Sequence, residues 1–296
     1  MRLSADCIVC MIKRQAENLR DRADENGKAA YLKEVLRIIA EAPEDASAPV
    51  VTERLNCLHE EWLGSPFSFR ELKRTYNALM MEKEQMIAAE IAASGDPLKA
   101  ALQYARVGNY IDFGAMGSVS GEKLQDLLAG AKDEMIDEKE FSAFQKELSA
   151  GKRLVYCLDN CGEIVLDKLL MKEIRRQYPQ MEITALVRGR EVLNDVTRED
   201  AQEVGLAEVA AVLDNGTGVA GTELSLLSEE AQEAMQEADV VISKGQGNFE
   251  TLHGCGLNIY YLFLCKCDYF TRRFGLERFQ GVFLNERNQK LRKNQS

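Results

Sequence analysis

The sequence predicts an α/β fold class, with a helical N-terminal domain followed by a domain built on a mainly parallel sheet. Only two glycines occur among the first 94 residues, where Ala, Glu, Leu, Lys and Arg dominate and favour helices. After Gly151, short β-prone runs alternate with helical stretches, a pattern typical of parallel strands joined by helices that cover both faces of the sheet. We therefore predict a helical domain over 1–150 and an α/β domain over 151–296.

Helices are expected throughout the first domain. "SADCIVCMIKRQAENLRDRADE" has approximately helical apolar spacing, with Ser4 or Asp6 as its N-cap. "GKAAYLKEVLRIIAEA" predicts a second helix that Pro43 ends within the loop "APEDASAP". The long stretch "FSFRELKRTYNALMMEKEQMIAAEIAAS" predicts a third, and "DPLKAALQYARV" a fourth that leads into a glycine-rich loop over 108–121. Two more are expected over 122–129 and 137–150.

The strands of the second domain are predicted from their apolar, β-branched and aromatic residues. The runs are "RLVYCLD", "EITALVR", "EVAAVLD", "DVVISK" and "NIYYLFL", with "GVFLN" as a candidate sixth. Helical stretches such as "EIVLDKLLMKEIRRQY" and "SEEAQEAMQEA" separate several of them.

Composition excludes several classes of protein. The net charge of −11 argues against a nucleic-acid binder, because such proteins usually carry a basic patch. The longest strongly apolar run, "LNIYYLFLC", is far shorter than the roughly 20 residues that a membrane-spanning helix needs. The N-terminus has no apolar export signal, and eight cysteines without one suggest reduced thiols. A cytoplasmic protein is therefore expected, with no membrane partner.

Polar side chains follow the predicted strands, where ligands bind in open α/β sheets. If Asp159, Asn160 and Asp195 meet, their oxygens would suit a hard divalent ion such as Mg²⁺ or Mn²⁺ better than zinc. The alternative is that these residues only cap the next helix. The further polar residues at strand ends are Glu163, Asn194, Asp214, Asn215, Lys244, Gln246 and Asn248.

The segment "SKGQGN" is a candidate anion site. Its glycines let backbone N–H groups approach an anion, the next helix directs its N-terminus there, and Lys244 adds a positive charge. An ordinary strand-to-helix turn is the alternative, and the segment is not a Walker loop. A metal site together with an anion site indicates phosphoryl chemistry.

Other chemistries fit the sequence less well. It contains two histidines, no Gly-x-Ser-x-Gly elbow and no Gly-x-Gly-x-x-Gly dinucleotide loop. Cys7 and Cys10 form a Cys-x2-Cys pair that, with Cys57 and His59, could close a zinc site. A redox role for Cys7 is a further alternative. Packing within a helical core is the default interpretation.

Five stretches resemble the damage-control phosphatases, also called the ARMT-like family and once catalogued as the eighty-ninth domain of unknown function. They are "CIVC", "RVGNYIDFGA", "LDNCGEIVLDKLL", "VLNDVTRED" and "VISKGQGNFETL". The resemblance implies a helical domain packed on a three-layer α/β/α domain, with a divalent ion (Mn, Ni, Co or Mg) at the strand ends. It implies Asp159, Asn160 and Asp195 as metal ligands. Its implied substrate-binding residues are Asn109, Asp112, Lys244, Gly245, Gln246 and Asn248, with Lys244 on the phosphate.

The resemblance implies hydrolysis of small phosphomonoesters, such as sugar phosphates or damaged phosphometabolites, by metal-activated water. Asp159, Glu163 and Lys244 are the expected catalytic residues, with Glu163 orienting the water or the leaving group. Two alternatives remain: an S-adenosylmethionine-dependent carboxyl methyltransferase, against which the missing glycine-rich nucleotide loop argues, and a non-catalytic metal-binding protein. The substrate itself and the oligomeric state stay open.

Overall fold

The computed structural model describes residues 1–19, 24–64, 69–112 and 120–288. Twelve α-helices and six strands lie in those ranges. The helices are α1 (Ala5–Asn18), α2 (Glu25–Ala40), α3 (Ala48–Leu63), α4 (Arg70–Ala92), α5 (Pro97–Gly108), α6 (Gly121–Ala129), α7 (Glu138–Ala150), α8 (Glu163–Gln177), α9 (Arg198–Glu203), α10 (Glu229–Glu237), α11 (Gly245–Leu252) and α12 (Asp268–Phe274). The strands are β1 (Arg153–Cys157), β2 (Glu182–Val187), β3 (Ala211–Asp214), β4 (Val240–Lys244), β5 (Ile259–Leu264) and β6 (Gly281–Asn285).

Helix α3 has no counterpart among the predicted helices. Its N-cap is Ser47, and Pro49 lies in its first turn, where the missing backbone N–H leaves no hydrogen bond unmade. The buried residues Val51, Leu55 and Leu58 follow helical spacing on its inner face. The second proline of "APEDASAP" therefore marks the start of a helix and not the continuation of a loop. Of the predicted glycine-rich loop, residues 113–119 lie outside the described part of the chain.

The six strands form one sheet in the order β3-β2-β1-β4-β5-β6. Neighbouring strands are parallel except β6, which pairs antiparallel with β5, as the pairing of Leu262 with Phe283 illustrates. The predicted α/β class with a mainly parallel sheet is confirmed, and "GVFLN" is its sixth strand. Because β1 continues to β2 on one side and has β4 on the other, the strand order reverses between β1 and β4, which creates a crevice at their carboxyl ends.

Helices cover both faces of the sheet, because strand side chains alternate between two apolar cores. Leu154 and Tyr156 of β1 belong to a core shared with α4, α5, α7 and α8. Val155 and Cys157 belong to a second core, shared with α10, α11 and α12. Helices α1 to α3 enclose a third, smaller core. None of the described helices combines the length and apolarity that a bilayer span requires.

Helix α5 joins the N-terminal helices to the sheet domain. It packs on α8 so closely that a Cβ atom at Gly108 would lie 2.8 Å from Leu166 Cδ1. Helices α4 to α7 thus bury their apolar faces in the same core as the sheet, whereas α1 to α3 have a core of their own. The division at residue 151 falls directly before β1, and its status as a domain boundary stays a prediction.

Candidate active site

The turn after β1 brings Asp159, Asn160 and Glu163 to the crevice. Gly162 has φ +79°, a left-handed conformation, and a Cβ atom there would lie 3.0 Å from Tyr76 Cβ. This sharp turn lets α8 start at Glu163, whose side chain is fully buried in the first turn of the helix. The acids are therefore held at the strand end by a turn that only glycine makes without strain.

Asn109, the C-cap of α5, links the two acids. Its Nδ2 donates to Asp159 Oδ2 at 3.0 Å and to the two oxygens of Glu163 at 3.0 Å and 3.1 Å. The backbone N–H of Leu264 donates to Asn109 Oδ1 at 3.1 Å, which fixes the orientation of the amide. Asn160 Nδ2 donates to the same two carboxylates at 2.7 Å and 2.8 Å. Two amides therefore hold two buried carboxylates side by side.

Asp195 enters this cluster from the loop after β2. An isolated β-bridge pairs it with Asn160, and Arg188 Nε donates to Asp195 Oδ2 at 2.7 Å. Arg188 also donates from Nη1 to Asn248 Oδ1 at 3.2 Å, and its Nη2 lies 3.8 Å from Asp159 Oδ1. In the sequence, Arg188 stands out only as a basic residue directly after an apolar strand, and it was not predicted to belong to the site.

Lys244 lies on the inner side of Glu163. Its Nζ donates to Ala105 O at 2.7 Å, to Glu163 Oε1 at 2.5 Å and to Asp167 Oδ1 at 2.7 Å. Its side chain is fully buried, and Tyr156 donates its O–H to Asp167 at 2.7 Å. All three N–H donors of the ammonium are thus used within the protein, so Lys244 faces two carboxylates in this arrangement.

A second lysine, Lys266, follows β5 and was not singled out from the sequence. Its Nζ lies 2.7 Å from Asp112 Oδ2, and its side chain is fully buried. Its charge lowers the pKa of Asp159, so the two groups are electrostatic neighbours. Its backbone N–H donates to Gln246 Oε1 at 2.8 Å, which connects it to the "SKGQGN" segment. Lys266 and Arg188 therefore bring positive charge to the acid cluster.

The first residue of α11 must be a glycine. Gly245 has φ +77°, and a Cβ atom there would lie 1.9 Å from Asp159 Oδ2. The backbone of "SKGQGN" thus approaches the acids directly, and the binding of an anion by this segment stays a prediction. Asn248, also predicted to bind substrate, is fully buried and donates to Leu158 O at 3.0 Å and Lys244 O at 2.7 Å. These contacts connect the carboxyl end of β1 to the carboxyl end of β4.

The buried aspartates of the acid cluster have raised pKa values, which means that their charged forms are destabilised. Burial raises the pKa of Asp159 well above its usual value, and the charges of Glu163 and Asp195 raise it further. Burial also raises the pKa of Asp195 to about 6, although Arg188 opposes that rise. Ionised carboxylates in such surroundings are stabilised by a bound cation.

The predicted metal ligands fit a hard divalent ion. Asp159, Asn160 and Asp195 each have one oxygen, Oδ1, that takes no part in the hydrogen bonds given above. Within the described ranges, no grouping of three or more His, Cys, Asp or Glu side chains is arranged to hold a metal. The predicted ligand set differs from such a group, because it has two carboxylates and, as its third oxygen donor, the amide of Asn160.

Other polar residues at the strand ends have structural contacts. Asn194 Nδ2 donates to Ile111 O at 3.2 Å. Asn215 Oδ1 accepts the backbone N–H of Gly189 at 3.0 Å, and Asp214 pairs with an arginine of α9. These contacts hold the loops after β2 and β3, so these residues stabilise the rim of the site.

The residues of the predicted zinc site lie on the N-terminal helices, with Cys7 and Cys10 on α1 and Cys57 and His59 on α3. All eight cysteines are free thiols. Cys7 is partly buried and accepts a hydrogen bond from Ser4 Oγ at 3.0 Å, while Cys10 and Cys57 are exposed. His59 is buried in α3. The described residues give no cluster of these side chains that could hold zinc, and packing does not account for the exposed Cys10.

The chain is thus a doubly wound α/β protein whose buried acids and basic side chains meet at the switch point of the sheet, an arrangement typical of phosphoryl-transfer enzymes. A family model for the damage-control phosphatase ARMT1-like domain matches residues 3–281. The chain belongs to this family, which confirms the resemblance seen in its sequence. Membership indicates a hydrolase.

Individual relatives are similar to this chain along nearly its whole length. A damage-control phosphatase of Archaeoglobus fulgidus is 33% identical over 285 residues, covering 93% of this chain and 96% of the relative. A damage-control phosphatase of Pyrococcus horikoshii is 27% identical over 293 residues, covering 97% and 99%. The crystal structure of a DUF89 family protein from the same archaeon superimposes with a TM-score of 0.76 at 26% identity, covering 97% of this chain and 99% of that one.

Proposed function

We propose that the chain is a metal-dependent hydrolase of small phosphomonoesters, such as sugar phosphates or damaged phosphometabolites. The observation that carries the proposal is the buried set Asp159, Asn160 and Asp195 beside the cations Arg188 and Lys266. A phosphoryl group passes through a transition state rich in negative charge, so catalysis requires fixed positive charge in a water-poor site. The relatives named as phosphatases support the same reaction class.

In this proposal Asp159, Asn160 and Asp195 would hold the ion with their side-chain oxygens. Bound there, a divalent ion (Mn, Ni, Co or Mg) supplies Lewis acidity that neutralises phosphoryl charge and makes water more acidic. The raised pKa values of the two aspartates support this role, because burial disfavours their charged forms and a bound cation would offset that cost.

Lys266 is the proposed phosphate-binding cation. It is buried, it faces Asp112, and its charge acts on Asp159. The glycine at position 245 lets the backbone at the start of α11 lie directly against the Asp159 carboxylate, so the N-terminus of α11 is close to the proposed phosphate position. Gln246, partly exposed at the rim, is a further proposed substrate contact, and Asn248 contributes by orienting Arg188.

Glu163 orients the attacking water or the leaving group in this proposal, and Lys244 is the residue that holds it in place. Glu163 accepts hydrogen bonds from Asn109, Asn160 and Lys244, so its carboxylate has one defined orientation. Asp167 accepts a further hydrogen bond from Lys244 and so helps to fix the position of its ammonium group. Lys244 therefore acts through Glu163 and not by direct contact with the phosphate. Eight free thiols suit a reducing compartment, and we propose a cytoplasmic location.

Phosphate release from a panel of sugar phosphates and a chromogenic phosphomonoester tests the function. The assay is run with each of the four ions, and Asp159→Asn is the matched variant. We expect release that depends on the ion, disappears with chelator and falls at least 100-fold in the variant. No release from folded wild-type protein with any ion would overturn the phosphatase, and tight binding of S-adenosylmethionine in calorimetry would then favour the methyltransferase.

A further inference from the structure

A cavity of about 550 Å³ lies at the carboxyl edge of the sheet, beside the acid cluster. Its walls come from the residues after β2, from the end of β3, and from α4 and α9. A cavity of this size accepts a metabolite-sized ligand. The proposed catalytic residues at the ends of β1 and β4 do not line it, so it is a separate space at the same edge.

Arg188 connects the cavity to the acid cluster. It lines the cavity, and its Nε donates to Asp195 at 2.7 Å. Strand β2, which Arg188 follows, is the direct neighbour of β1, which Asp159 follows. Neighbouring strands lie about 5 Å apart, so the ends of β1 and β2 are separated by less than the length of a small sugar.

The wall of the cavity is rich in positive charge, although the whole chain carries −11. Six cationic side chains contribute to it. They are Arg70, Lys73, Arg74, Arg188, Arg190 and Arg198.

Four acids also line the cavity, but three of them are paired with its own cations. Glu191 lies 3.1 Å from Arg70, Asp200 lies 2.5 Å from Lys73, and Asp214 lies 2.7 Å from Arg198. The fourth, Glu199, is exposed on α9. After these three pairs, three of the six cations in the wall have no ion pair with an acid of the wall.

Three arginines remain after these pairs, and one of them, Arg188, is paired with Asp195 outside the wall. Arg190 lies 2.6 Å from Glu53, an acid of α3 that does not belong to the cavity wall. Arg74 is exposed on α4, and among the described residues it has no ion pair. Within the described part of the chain, Arg74 is thus the one cation of the wall without an ion partner, and it is the side chain that an anion in the cavity would engage.

We propose that this cavity is a second anion subsite, so that the enzyme prefers phosphomonoesters that carry another phosphate or a carboxylate at the end remote from the reacting group. The inference rests on the proposed function, because it assigns the far end of the same substrate. Arginine suits this role, since its planar fork of N–H donors matches the oxygens of phosphate and carboxylate.

The test compares kcat/KM for three substrates: a hexose 1-phosphate, the corresponding hexose 1,6-bisphosphate, and a sugar phosphate whose far end is a carboxylate. We expect the two doubly anionic substrates to be preferred at least tenfold over the monophosphate at low salt, and less so at high salt. Arg74→Gln should reduce that ratio about fivefold. Lys33→Gln, which removes an exposed charge on α2, should leave the ratio as it is in the wild type.

Equal kcat/KM for all three substrates, or a loss in Arg74→Gln that is the same for all three, would overturn the subsite while leaving the phosphatase intact. If no substrate is hydrolysed, the phosphatase proposal fails instead. Calorimetry with the hexose monophosphate and bisphosphate then still decides the subsite. Tighter binding of the bisphosphate that weakens in Arg74→Gln supports it, and equal binding overturns it.

Discussion

Replacing Gly245 by alanine is the most selective test of the site geometry. The added Cβ would lie 1.9 Å from Asp159 Oδ2, and such contacts in proteins essentially never fall below 3.0 Å. The carboxylate or the start of α11 must therefore move by about 1 Å or more. A misplacement of about 1 Å in a catalytic group can cost on the order of 100-fold in rate. We expect Gly245→Ala to lower kcat/KM for phosphate release by about that factor or more.

The substitution also has a backbone cost, which must be separated from the clash. At φ +77° an alanine is strained by about 1–2 kcal/mol relative to glycine. Gly254, at the other end of the same helix, has φ +91° and nothing within 4 Å of its would-be Cβ. Gly254→Ala therefore reproduces the strain without the clash. Both variants should melt a few degrees below the wild type, by about 2–4 °C per kcal/mol.

The assay is metal-dependent phosphate release, with thermal unfolding measured on the same preparations. Gly245→Ala should lose activity, and Gly254→Ala should retain it. Wild-type activity in a folded Gly245→Ala variant would refute the reasoning, because Asp159 would then tolerate displacement. An equal loss of activity in both variants would also refute it, since backbone strain would then explain the effect.

Three further predictions concern the charges of the site. Lys244→Met leaves Glu163 and Asp167 buried without their counter-charge, so the free energy of unfolding should fall by about 3 kcal/mol or more and activity should be lost. Lys168→Met, which removes a buried lysine paired with an acid of α4, should lose stability in chemical denaturation yet retain phosphate release. Burial raises the pKa of Asp167 to about 7, so the folded state binds its proton more tightly than the unfolded state. The stability of the wild type relative to Asp167→Asn should therefore fall as pH rises from about 4 to about 7, and a rise in urea denaturation midpoints over that range would contradict the assignment. Added Mn²⁺ should raise the melting temperature of the wild type but not of Asp159→Asn, and a chelator should reverse the rise; equal shifts in both would place the ion elsewhere.

The acid cluster was predictable because its members follow strands that could be recognised locally. Asp159 and Asn160 come directly after an apolar run, and Asp195 shortly after the next. In a parallel sheet those positions share one edge, so their convergence follows from the alternation of strands and helices. Helix α3 could not be read in the same way, because Pro49 suits both a loop and the first turn of a helix.

The cations of the site show what local patterns do not contain. Arg188 and Lys266 each follow an apolar strand as an ordinary basic residue. The loop after β2 brings Arg188 to Asp195, and the pairing of β2 with β1 brings it near Asp159. Lys266 faces Asp112 because α5 ends next to β5. Lys244 stands in a glycine-rich segment typical of anion sites, yet its side chain turns inward to Glu163 and Asp167.

The sequence by itself determined the fold class, the strand ends that carry the acids, and the glycine-rich segment beside them. These depend on periodicity and on residue types that act over a few neighbouring positions. The tertiary structure alone decided which cation meets which acid, and why position 245 admits only glycine. Those contacts join residues far apart along the chain, such as Asn109 and Asp159, and only the order of the strands and the packing of α5 on α8 brings them within hydrogen-bonding distance.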